Sequence, residues 1–586
     1  MLALLGGYSA PAQVNEPVYA DSLLNGWQNY GWASLIYVDD SQLTPQAPPP
    51  IVHVSLNATQ MVRAVDARFF AVNTAIWDGA FDTPATVALL RAMGCLALRF
   101  PGGSASDDYH WASNTSGTNT WTWATSFTRF AHVATNLGAQ VIITANYGGG
   151  TPQKAAAWVR FANVTNHYGF KYWEIGNENY GTWELDTNLF PHDPFTYATR
   201  AKDYLTQMKA ADPTVKIGVV AVTGEDSYSN NYTNHPATNP RTGKSHNGWT
   251  PVLLTTLKNE GVTPDFLIYH RYAQAPGTEN DQNLLQSSRT WPNDAADLRQ
   301  QLIDYLGPAN TNVELVCTEN NSVYTNPGKQ STSLVNGLFL ADSIAQALQT
   351  GFNGLVWWDL RNGQDSKQNN SPALYGWRQY GDYGVVSPGN DRYPTYYVAR
   401  LLQYFARGGD AIIRATSDSS FLAAYAARRT NGTISLLVLN KSASNSFNAS
   451  ISLAGYPPHT NALVYSYGIA QDDAARTGIG SPDLVQTNFP AAGTNFTFTF
   501  PPYSATVLSF APGPPRLLIS PGALRADGLH FQIQGLAGLR YIAQTSSNLL
   551  NWVSITTNLF TNAVLDFTDA QATKRQLGFY RALWAP

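Results

Sequence analysis

Between about residues 65 and 360 the chain repeats one pattern of apolar and polar positions. A short β-branched or apolar run is followed by a loop rich in Gly and Asn, and then by a stretch with helical periodicity. Eight such runs occur: "ARFFAVNTAI", "CLALRFPGG", "QVIITANYGG", "YWEIGNE", "KIGVVAV", "FLIYHRY", "VELVCTENN" and "GLVWWDL". Near-continuous apolar strands that alternate with helices are typical of a parallel sheet covered by helices.

The repeat predicts a (β/α)8 TIM barrel, because eight βα units in a few hundred residues match that fold. Three of its helices stand out as "TPATVALLRAMG", "TPQKAAAWVRFANVTNHYG" and "SLVNGLFLADSIAQALQTG". A doubly wound open sheet is the structural alternative. No glycine-rich phosphate fingerprint opens a predicted helix, which weakens the nucleotide-binding form of that alternative and a nucleotide-dependent sugar-modifying enzyme with it.

The helical period disappears after about residue 405. The segment "FLAAYAARRTNGTISLLVLNKS" predicts two strands joined at Asn431-Gly432, a strong hairpin signal. With "FTFTFPPYSATVLSFA" it indicates a β-sandwich over 405–512. A linker rich in Pro and Gly then leads to a small all-β module over 513–586, for which attachment and carbohydrate binding are both open roles.

The barrel is predicted to span 51–404, after an N-terminal segment over 1–50. That segment holds one or two strands and ends in the stiff "TPQAPPP". A short isolated strand is marginal in water, so we expect the segment to complete the β-sandwich.

Composition points to an uncharged ligand. Charged residues make up 13% of the chain, about half the usual share of roughly 25%, while aromatics reach 12%. Such a surface suits a neutral, hydroxyl-rich ligand such as a carbohydrate. The net charge of -4 gives no electrostatic case for binding nucleic acid or an anionic membrane, since both call for basic patches. The sequence has no apolar run of about 18 residues, so it predicts no membrane span.

Two further features bear on location and redox state. The start, "MLALLGGYSAPAQ", reads as the remnant of a secretory signal or as a frayed terminus, and we expect a secreted or periplasmic protein. Cys95 and Cys317 match no metal-ligand spacing. They fall on the second and seventh predicted strands, too far apart for a disulfide, so we expect both to be reduced and buried.

Two carboxylates end predicted barrel strands: Glu178 closes the fourth run and Glu319 closes the seventh. Functional side chains of a TIM barrel lie where strands end, and burying a carboxylate without a partner is costly. Two carboxyl groups about 5 Å apart perform retaining glycoside hydrolysis. Spacing alone leaves open the alternative that both are helix caps or loop ion pairs.

The motif "WEIGNE", with "LRFPGG" on the second run and "TEN" on the seventh, resembles the glycoside hydrolases of the large retaining (β/α)8 clan A. The chain looks most like family 51, which holds α-L-arabinofuranosidases and some β-glucanases, with families 39 and 79 as more distant relatives. The resemblance covers roughly residues 65–510. It implies that no metal or organic cofactor is needed.

The resemblance also implies roles by position. Glu178 would be the acid/base and Glu319 the nucleophile, Asn177 would hold the sugar 2-hydroxyl, and Arg99 would hydrogen-bond the nucleophile. Family positions and rim placement together nominate further substrate contacts: Asn146, His270, Tyr272, Trp77, Trp357 and Trp358. A barrel-lining Arg and a core His are also common as purely structural residues. Because side chains alternate along a strand, one of Trp357 and Trp358 must point away from the cleft.

Substrate identity depends on three loops. After "LRFPGG" the chain reads "SASDDYHW" and departs from the family, and loops 223–250 and 361–384 have no family counterpart. If those two loops close over the carboxylates, we expect a pocket and removal of terminal arabinofuranose. A groove would be indicated if three or more rim tryptophans line it: the candidates are Trp77, Trp111, Trp183, Trp249, Trp291 and Trp377.

The sequence therefore predicts a retaining glycoside hydrolase acting on plant cell-wall polysaccharide or its oligosaccharides, with an α-L-arabinofuranosidase as the first expectation. An endo-β-1,4-glycanase acting on glucan, xylan or mannan is the alternative. A non-catalytic carbohydrate-binding protein is the alternative from another class, and it would have no need to keep both carboxylates.

Overall fold

The computed structural model describes residues 51–117, 122–230, 232–310 and 312–586. From Val52 onward the chain forms one compact unit. The predicted N-terminal segment, 1–50, and its expected pairing with the sandwich lie outside the described residues.

A closed parallel barrel forms one of the domain-sized sheets of the described chain. Its eight strands, numbered here in chain order, are Ala71–Asn73, Ala97–Phe100, Gln140–Ala145, Tyr172–Ile175, Lys216–Val220, Phe266–Gln274, Glu314–Val323 and Phe352–Trp357. Strand eight pairs with strand one, with Val356 opposite Ala71. That pairing closes the sheet, which confirms the predicted barrel and excludes the open-sheet alternative.

Helices cover the barrel and also join it to the following domain. They are Pro84–Met93, Phe127–Leu137, Pro152–Val159, Pro194–Ala211, Trp249–Asn259, Asp281–Ser287, Trp291–Gln301, Leu334–Ala347 and Pro394–Phe405, with π-helical turns at Arg160–Thr165 and Leu302–Leu306. The helix Pro84–Met93 shows how local sequence sets the bounds of a helix. Thr83 caps its N-terminus ahead of a proline, and Gly94 ends it at φ 78°. Within the described residues, no helix is long and apolar enough to cross a membrane.

A second, mainly antiparallel sheet forms the sandwich region. Its nine strands among the described residues run in the order Val485–Phe489, Ala462–Gly468, Ser504–Phe510, Ile434–Asn440, Leu422–Arg428, Ala411–Ser417, Val52–Ala64, Phe447–Ala454 and Asn495–Phe500, and the helix Ile469–Thr477 follows one of them. The predicted hairpin at Asn431-Gly432 is confirmed, since Arg428 lies opposite Ile434.

The strand Val52–Ala64 corrects one predicted boundary. The sequence predicts that the barrel begins at residue 51, but this strand pairs antiparallel with Ala411–Ser417 and parallel with Phe447–Ala454. The physical reason is its alternation: Val52, Val54 and Leu56 are buried in the sandwich core while the residues between them are exposed. The sandwich therefore begins before the barrel does.

The C-terminal module is the predicted small all-β unit. One sheet holds Arg516–Leu518, Leu524–Arg525, Gly528–Gln534 and Val564–Asp569, and another holds Arg540–Ser546, Val553–Leu559 and Phe579–Ala585. Phe531, Ile533, Tyr541 and Phe560 form the centre of its own core.

Both cysteines behave as expected from their strand positions. Cys95 and Cys317 are buried and carry free thiols. Burial raises the pKa of the Cys95 thiol to about 12, so it stays protonated and unreactive at neutral pH.

A buried ion pair joins the barrel to the sandwich. Lys441 Nζ lies 2.6 Å from Asp342 Oδ2, and the Tyr425 hydroxyl donates to Asp342 Oδ1 at 2.6 Å. Asp342 belongs to the helix Leu334–Ala347, and both charged side chains are almost fully excluded from solvent. Removing one partner leaves a buried charge without compensation.

We therefore expect Lys441→Met to lower the free energy of unfolding by about 3 kcal/mol, because Asp342 would remain buried and unpaired. Thermal and urea unfolding measure the effect. The control is Arg476→Met, which breaks the solvent-exposed Arg476–Asp473 pair and should change stability by less than about 1 kcal/mol. Equal melting temperatures for the two variants would contradict the assignment.

Candidate active site

The two predicted catalytic carboxylates meet at the C-terminal mouth of the barrel. Glu319 lies within strand seven, and Glu178 follows strand four after a turn at Gly176. Gly176 has φ 71°, and a Cβ there would lie 2.0 Å from Asn179 Oδ1, so the turn requires glycine. One oxygen of Glu178, one of Glu319 and a ring nitrogen of His270 all lie within 4.8 Å of one another. That spacing matches the roughly 5 Å of retaining glycosidases rather than the 6.5 Å or more of inverting ones.

Arg99 holds Glu319, the candidate nucleophile, through a buried ion pair. Its side chain is fully buried, with Nη1 2.8 Å from Glu319 Oε1 and Nε 2.6 Å from Glu174 Oε2. It also donates to Asn73 Oδ1 at 3.1 Å and to Asn177 Oδ1 at 2.9 Å. Burial acts to lower the pKa of Arg99, but the two carboxylates outweigh it and the pKa is raised. A permanent positive charge therefore sits against Glu319.

Tyr272 completes the setting of Glu319. Its hydroxyl donates to Glu319 Oε2 at 2.6 Å, so the two carboxylate oxygens are held from opposite directions by Tyr272 and Arg99. Both donors are on barrel strands, which makes the carboxylate rigid.

His270 bridges the two carboxylates. Its Nδ1 lies 2.9 Å from Glu178 Oε1 and 3.6 Å from Glu319 Oε2, while Nε2 lies 3.0 Å from Thr318 Oγ1. Burial lowers the pKa of His270, but the neighbouring charges of Glu319 and Glu178 raise it above its ordinary value. The imidazole is thus placed to hold a proton beside both acids.

Glu178 shows the complementary shift. Burial raises its pKa, but the hydrogen bond and charge of His270 lower it, as does the Trp183 indole N–H at 2.9 Å from Oε2, and the net pKa falls. In the free protein the proton of the pair therefore lies on His270. A proton can pass between the two groups along the 2.9 Å hydrogen bond from His270 Nδ1 to Glu178 Oε1.

The carboxylates open into a cavity of about 900 Å³. Its lining comprises Gly103, Ser104, Asn177, Glu178, Tyr180, Trp183, Tyr228, His270, Tyr272, Glu319, Tyr324, Thr325, Trp358, Asn362 and Tyr383. The Trp358 ring lies against Gly103, where a Cβ would come within 2.6 Å of the indole. The second glycine of "LRFPGG" is therefore needed for the aromatic wall.

Within the described chain, the lining leaves out three of the predicted substrate contacts. Asn146 instead donates to the Tyr109 carbonyl and accepts from the Gly149 N–H, which holds the loop after strand three. Trp357 is buried with its ring 6.0 Å from Phe339, on the opposite side of strand eight from Trp358, as the alternation rule requires. Trp77 is 37% exposed and lies outside the lining.

The sequence does not predict several residues that lie in or beside the site. They include Asp107, Tyr180, Glu184, Tyr228, Tyr324 and Tyr383. Glu184 and Asp107 carried a signal, because each is an acid close to a recognised motif in a chain that is low in charge overall. The tyrosines carried none, since loop tyrosines are common in this chain and their partners come from distant segments.

The pH dependence of activity should report the His270–Glu178 pair. With His270 present, the pair keeps its proton until the pH exceeds the raised pKa of His270, above 6.5, so the alkaline limb of kcat/KM should lie above that value. In His270→Gln the proton rests on Glu178 alone, and the alkaline limb should move to lower pH because a carboxyl is the stronger acid.

The measurement is kcat/KM from pH 4 to 9 with an aryl glycoside that the protein hydrolyses. His53→Gln is the matched control, since His53 is an exposed histidine on the sandwich that pairs with Asp418. An alkaline limb that stays in place in His270→Gln would remove His270 from the proton-holding role.

Comparison with known proteins adds sequence relatives at low identity. No protein-family model matches the chain. Two relatives are the probable α-L-arabinofuranosidase C of Aspergillus clavatus and the α-L-arabinofuranosidase C of Emericella nidulans. Each is 26% identical over 24% of this chain and 32% of its own length. The chain thus spans about a third of the length of the curated relatives it matches.

Solved structures match over most of the chain. The α-L-arabinofuranosidase of Thermotoga maritima, crystallised with arabinose, has a TM-score of 0.60 at 18% identity and covers 78% of this chain and 99% of its own. The family 51 (GH51) α-L-arabinofuranosidase of Thermotoga petrophila scores 0.59 at 18% identity over the same shares. CelM2, a bifunctional glucanase-xylanase from a metagenome library, scores 0.58 at 16% identity over 80% of this chain and all of its own. The barrel and sandwich therefore have the fold of the family 51 α-L-arabinofuranosidases, a fold that a glucanase-xylanase shares.

Proposed function

We propose that this protein is a retaining glycoside hydrolase that removes terminal α-L-arabinofuranosyl groups from plant cell-wall polysaccharide or its oligosaccharides. The observation that carries the proposal is the pair Glu178 and Glu319 at retaining distance, with Arg99 and Tyr272 holding the second of them. Because a polymer of that kind is met outside the cell, the proposal includes export.

In the first step Glu319 attacks the anomeric carbon and displaces the leaving-group oxygen, which takes a proton from Glu178. Arg99 pairs with the carboxylate charge of Glu319, and Glu319 loses that charge when it forms the glycosyl-enzyme. The attack therefore removes an existing ion pair and does not create a new charge. In the second step Glu178 takes a proton from water, which attacks the same carbon and releases the sugar with retained configuration.

The wall of the cavity supports a pocket over an open groove. Tyr228 from loop 223–250, and Asn362 and Tyr383 from loop 361–384, belong to the lining, so both loops reach the carboxylates. Among the six rim tryptophans considered from the sequence, Trp183 alone lines the cavity in the described residues.

The other five rim candidates have different surroundings. Trp249 and Trp291 are fully buried. Trp111 stacks on Trp158 with centroids 5.9 Å apart, the Trp377 indole N–H meets Asp472 at 3.3 Å, and Trp77 lies outside the lining. A continuous row of aromatic platforms, which a long β-1,4-linked chain would use, is therefore not supported.

The second candidate function is an endo-β-1,4-glycanase acting on glucan, xylan or mannan. The cavity volume of about 900 Å³ favours it, because this volume lies near the upper end of the roughly 300–1,000 Å³ of ligand pockets and exceeds the need of one sugar ring. The likeness to the glucanase-xylanase CelM2 supports it as well.

Replacing the nucleophile tests the retaining mechanism. Glu319→Gly should lose hydrolysis by about 10⁴-fold or more, since the covalent step has no nucleophile. Added azide should restore turnover of an activated aryl glycoside and give a glycosyl azide of inverted anomeric configuration, which NMR identifies. Loss of activity without rescue would take Glu319 out of this role, and no activity in the native protein would favour a carbohydrate-binding role.

Product analysis decides between pocket and groove. With arabinan or arabinoxylan we expect free arabinose as the sole early product, because a cavity walled by the two loops suits a chain end or side group. Chromatography of the first few per cent of conversion measures this, with glucan, xylan and mannan as parallel substrates. Early release of oligosaccharides from any of these polymers would overturn the arabinofuranosidase assignment in favour of the endo-acting one.

A further inference from the structure

A buried polar cluster stands behind the acid/base, and neither catalytic step uses it. It consists of Ser104 and Asp107, which follow strand two in the segment that departs from the family, and Glu184, which follows strand four. Its members surround Asn177, the neighbour of Glu178 in the chain.

Asp107 holds the backbone on both sides of the cluster. Its Oδ1 accepts from the backbone N–H groups of Tyr147 and Gly148 at 3.0 and 3.1 Å. Its Oδ2 accepts from the Asn177 N–H at 3.0 Å and from the Asn179 amide at 2.9 Å. This fully buried carboxylate thus ties the loop after strand three to the residues that flank Glu178 and has donors for both its oxygens.

Glu184 has a different environment. Its Oε1 accepts from the Ser104 hydroxyl at 2.8 Å and from Asn177 Nδ2 at 3.0 Å. Its Oε2 is buried and meets no hydrogen-bond partner among the described residues. Burial, with the nearby charges of Asp107 and Glu178, raises the pKa of Glu184 to about 9, which makes the neutral acid the form present at pH 7.

The contacts of Asn177 define its orientation. Its Oδ1 accepts from Arg99 Nη2 at 2.9 Å, and one hydrogen of Nδ2 is donated to Glu184. Arg99 is a donor only, so the amide cannot flip without facing it with a second donor. The remaining Nδ2 hydrogen belongs to a residue that lines the cavity, beside the carboxylates.

From this geometry we infer that Glu184 is a positioning residue, whose Oε1 holds the Asn177 amide so that an N–H donor faces the sugar hydroxyl next to the anomeric carbon. The inference rests on the proposed function for the identity of that hydroxyl. A neutral carboxyl fits this position, because an ionised Glu184 would place a further negative charge beside Glu178 and beside Asp107, whose pKa burial raises to about 7.

The test compares Glu184→Ala with Glu184→Gln on an aryl glycoside that the native protein hydrolyses and on its 2-deoxy counterpart. On the parent substrate, kcat of Glu184→Ala should fall about tenfold, which corresponds to one hydrogen bond of roughly 1.4 kcal/mol. On the 2-deoxy substrate, which lacks that hydroxyl, kcat should fall by less than about threefold. Glu184→Gln, which keeps the accepting oxygen, should stay within about threefold of the native protein on both. Glu260→Ala is the control, since Glu260 pairs with Lys202 away from the cavity.

A second readout does not depend on activity. The folded pKa of Glu184, about 9, lies above the ordinary value of 4.5, so the native protein should lose stability relative to Glu184→Gln as the pH rises from 5 to 9. The melting temperature of Glu184→Gln minus that of the native protein should therefore grow across that range.

The outcomes separate cleanly. Equal losses of Glu184→Ala on the parent and 2-deoxy substrates, or a Gln variant as impaired as the Ala variant, would overturn the positioning role. A melting difference that stays flat from pH 5 to 9 would overturn the neutral form. A native protein inactive on every glycoside would instead overturn the proposed function, and the melting series would still decide the charge state of Glu184.

Discussion

The interaction on which the site depends is the buried guanidinium of Arg99. It reaches from strand two to Asn73 on strand one, to Glu174 on strand four and to Glu319 on strand seven, so one rigid group sets the relative positions of strands across the barrel. A buried charge of this kind is stable only when opposite charge and well-aligned acceptors surround it. Removing Arg99 would leave Glu174 and Glu319 as unpaired buried carboxylates, and the site would lose its frame as well as its charge balance.

Around that frame the protein separates two tasks that both need carboxylates. Glu319 accepts hydrogen bonds from the Arg99 guanidinium and the Tyr272 hydroxyl, whereas Glu178 is hydrogen-bonded to His270. Glu184 is a third acid, and burial among like charges makes it neutral. Glu178 and Glu184 thus have pKa values shifted in opposite directions, because each has a different set of donors and a different exposure to neighbouring charge.

The cavity is shaped by residues far apart in the chain. Gly103 gives the Trp358 ring its place, and Tyr228 and Tyr383 arrive from two long loops that lie between barrel elements. The barrel carrying these loops is joined to the sandwich through Lys441 and Asp342. That buried pair fixes the helix after strand seven to the sandwich.

Local patterns were sufficient for the barrel, the hairpin at Asn431-Gly432 and the two carboxylates, because strand alternation, helix caps and short motifs are properties of neighbouring residues. The alternation rule also predicted that Trp357 and Trp358 would face opposite ways, though not which one faces the cavity. Position along the chain predicts Asn146 and Trp77 in the site, but neither residue lines the cavity in the folded protein. Tertiary structure alone decided that the strand Val52–Ala64 joins the sandwich, that His270 bridges Glu178 and Glu319, and that Glu184 is buried beside Asn177. Each of these depends on contacts between segments far apart in sequence, and on burial, which no local pattern encodes.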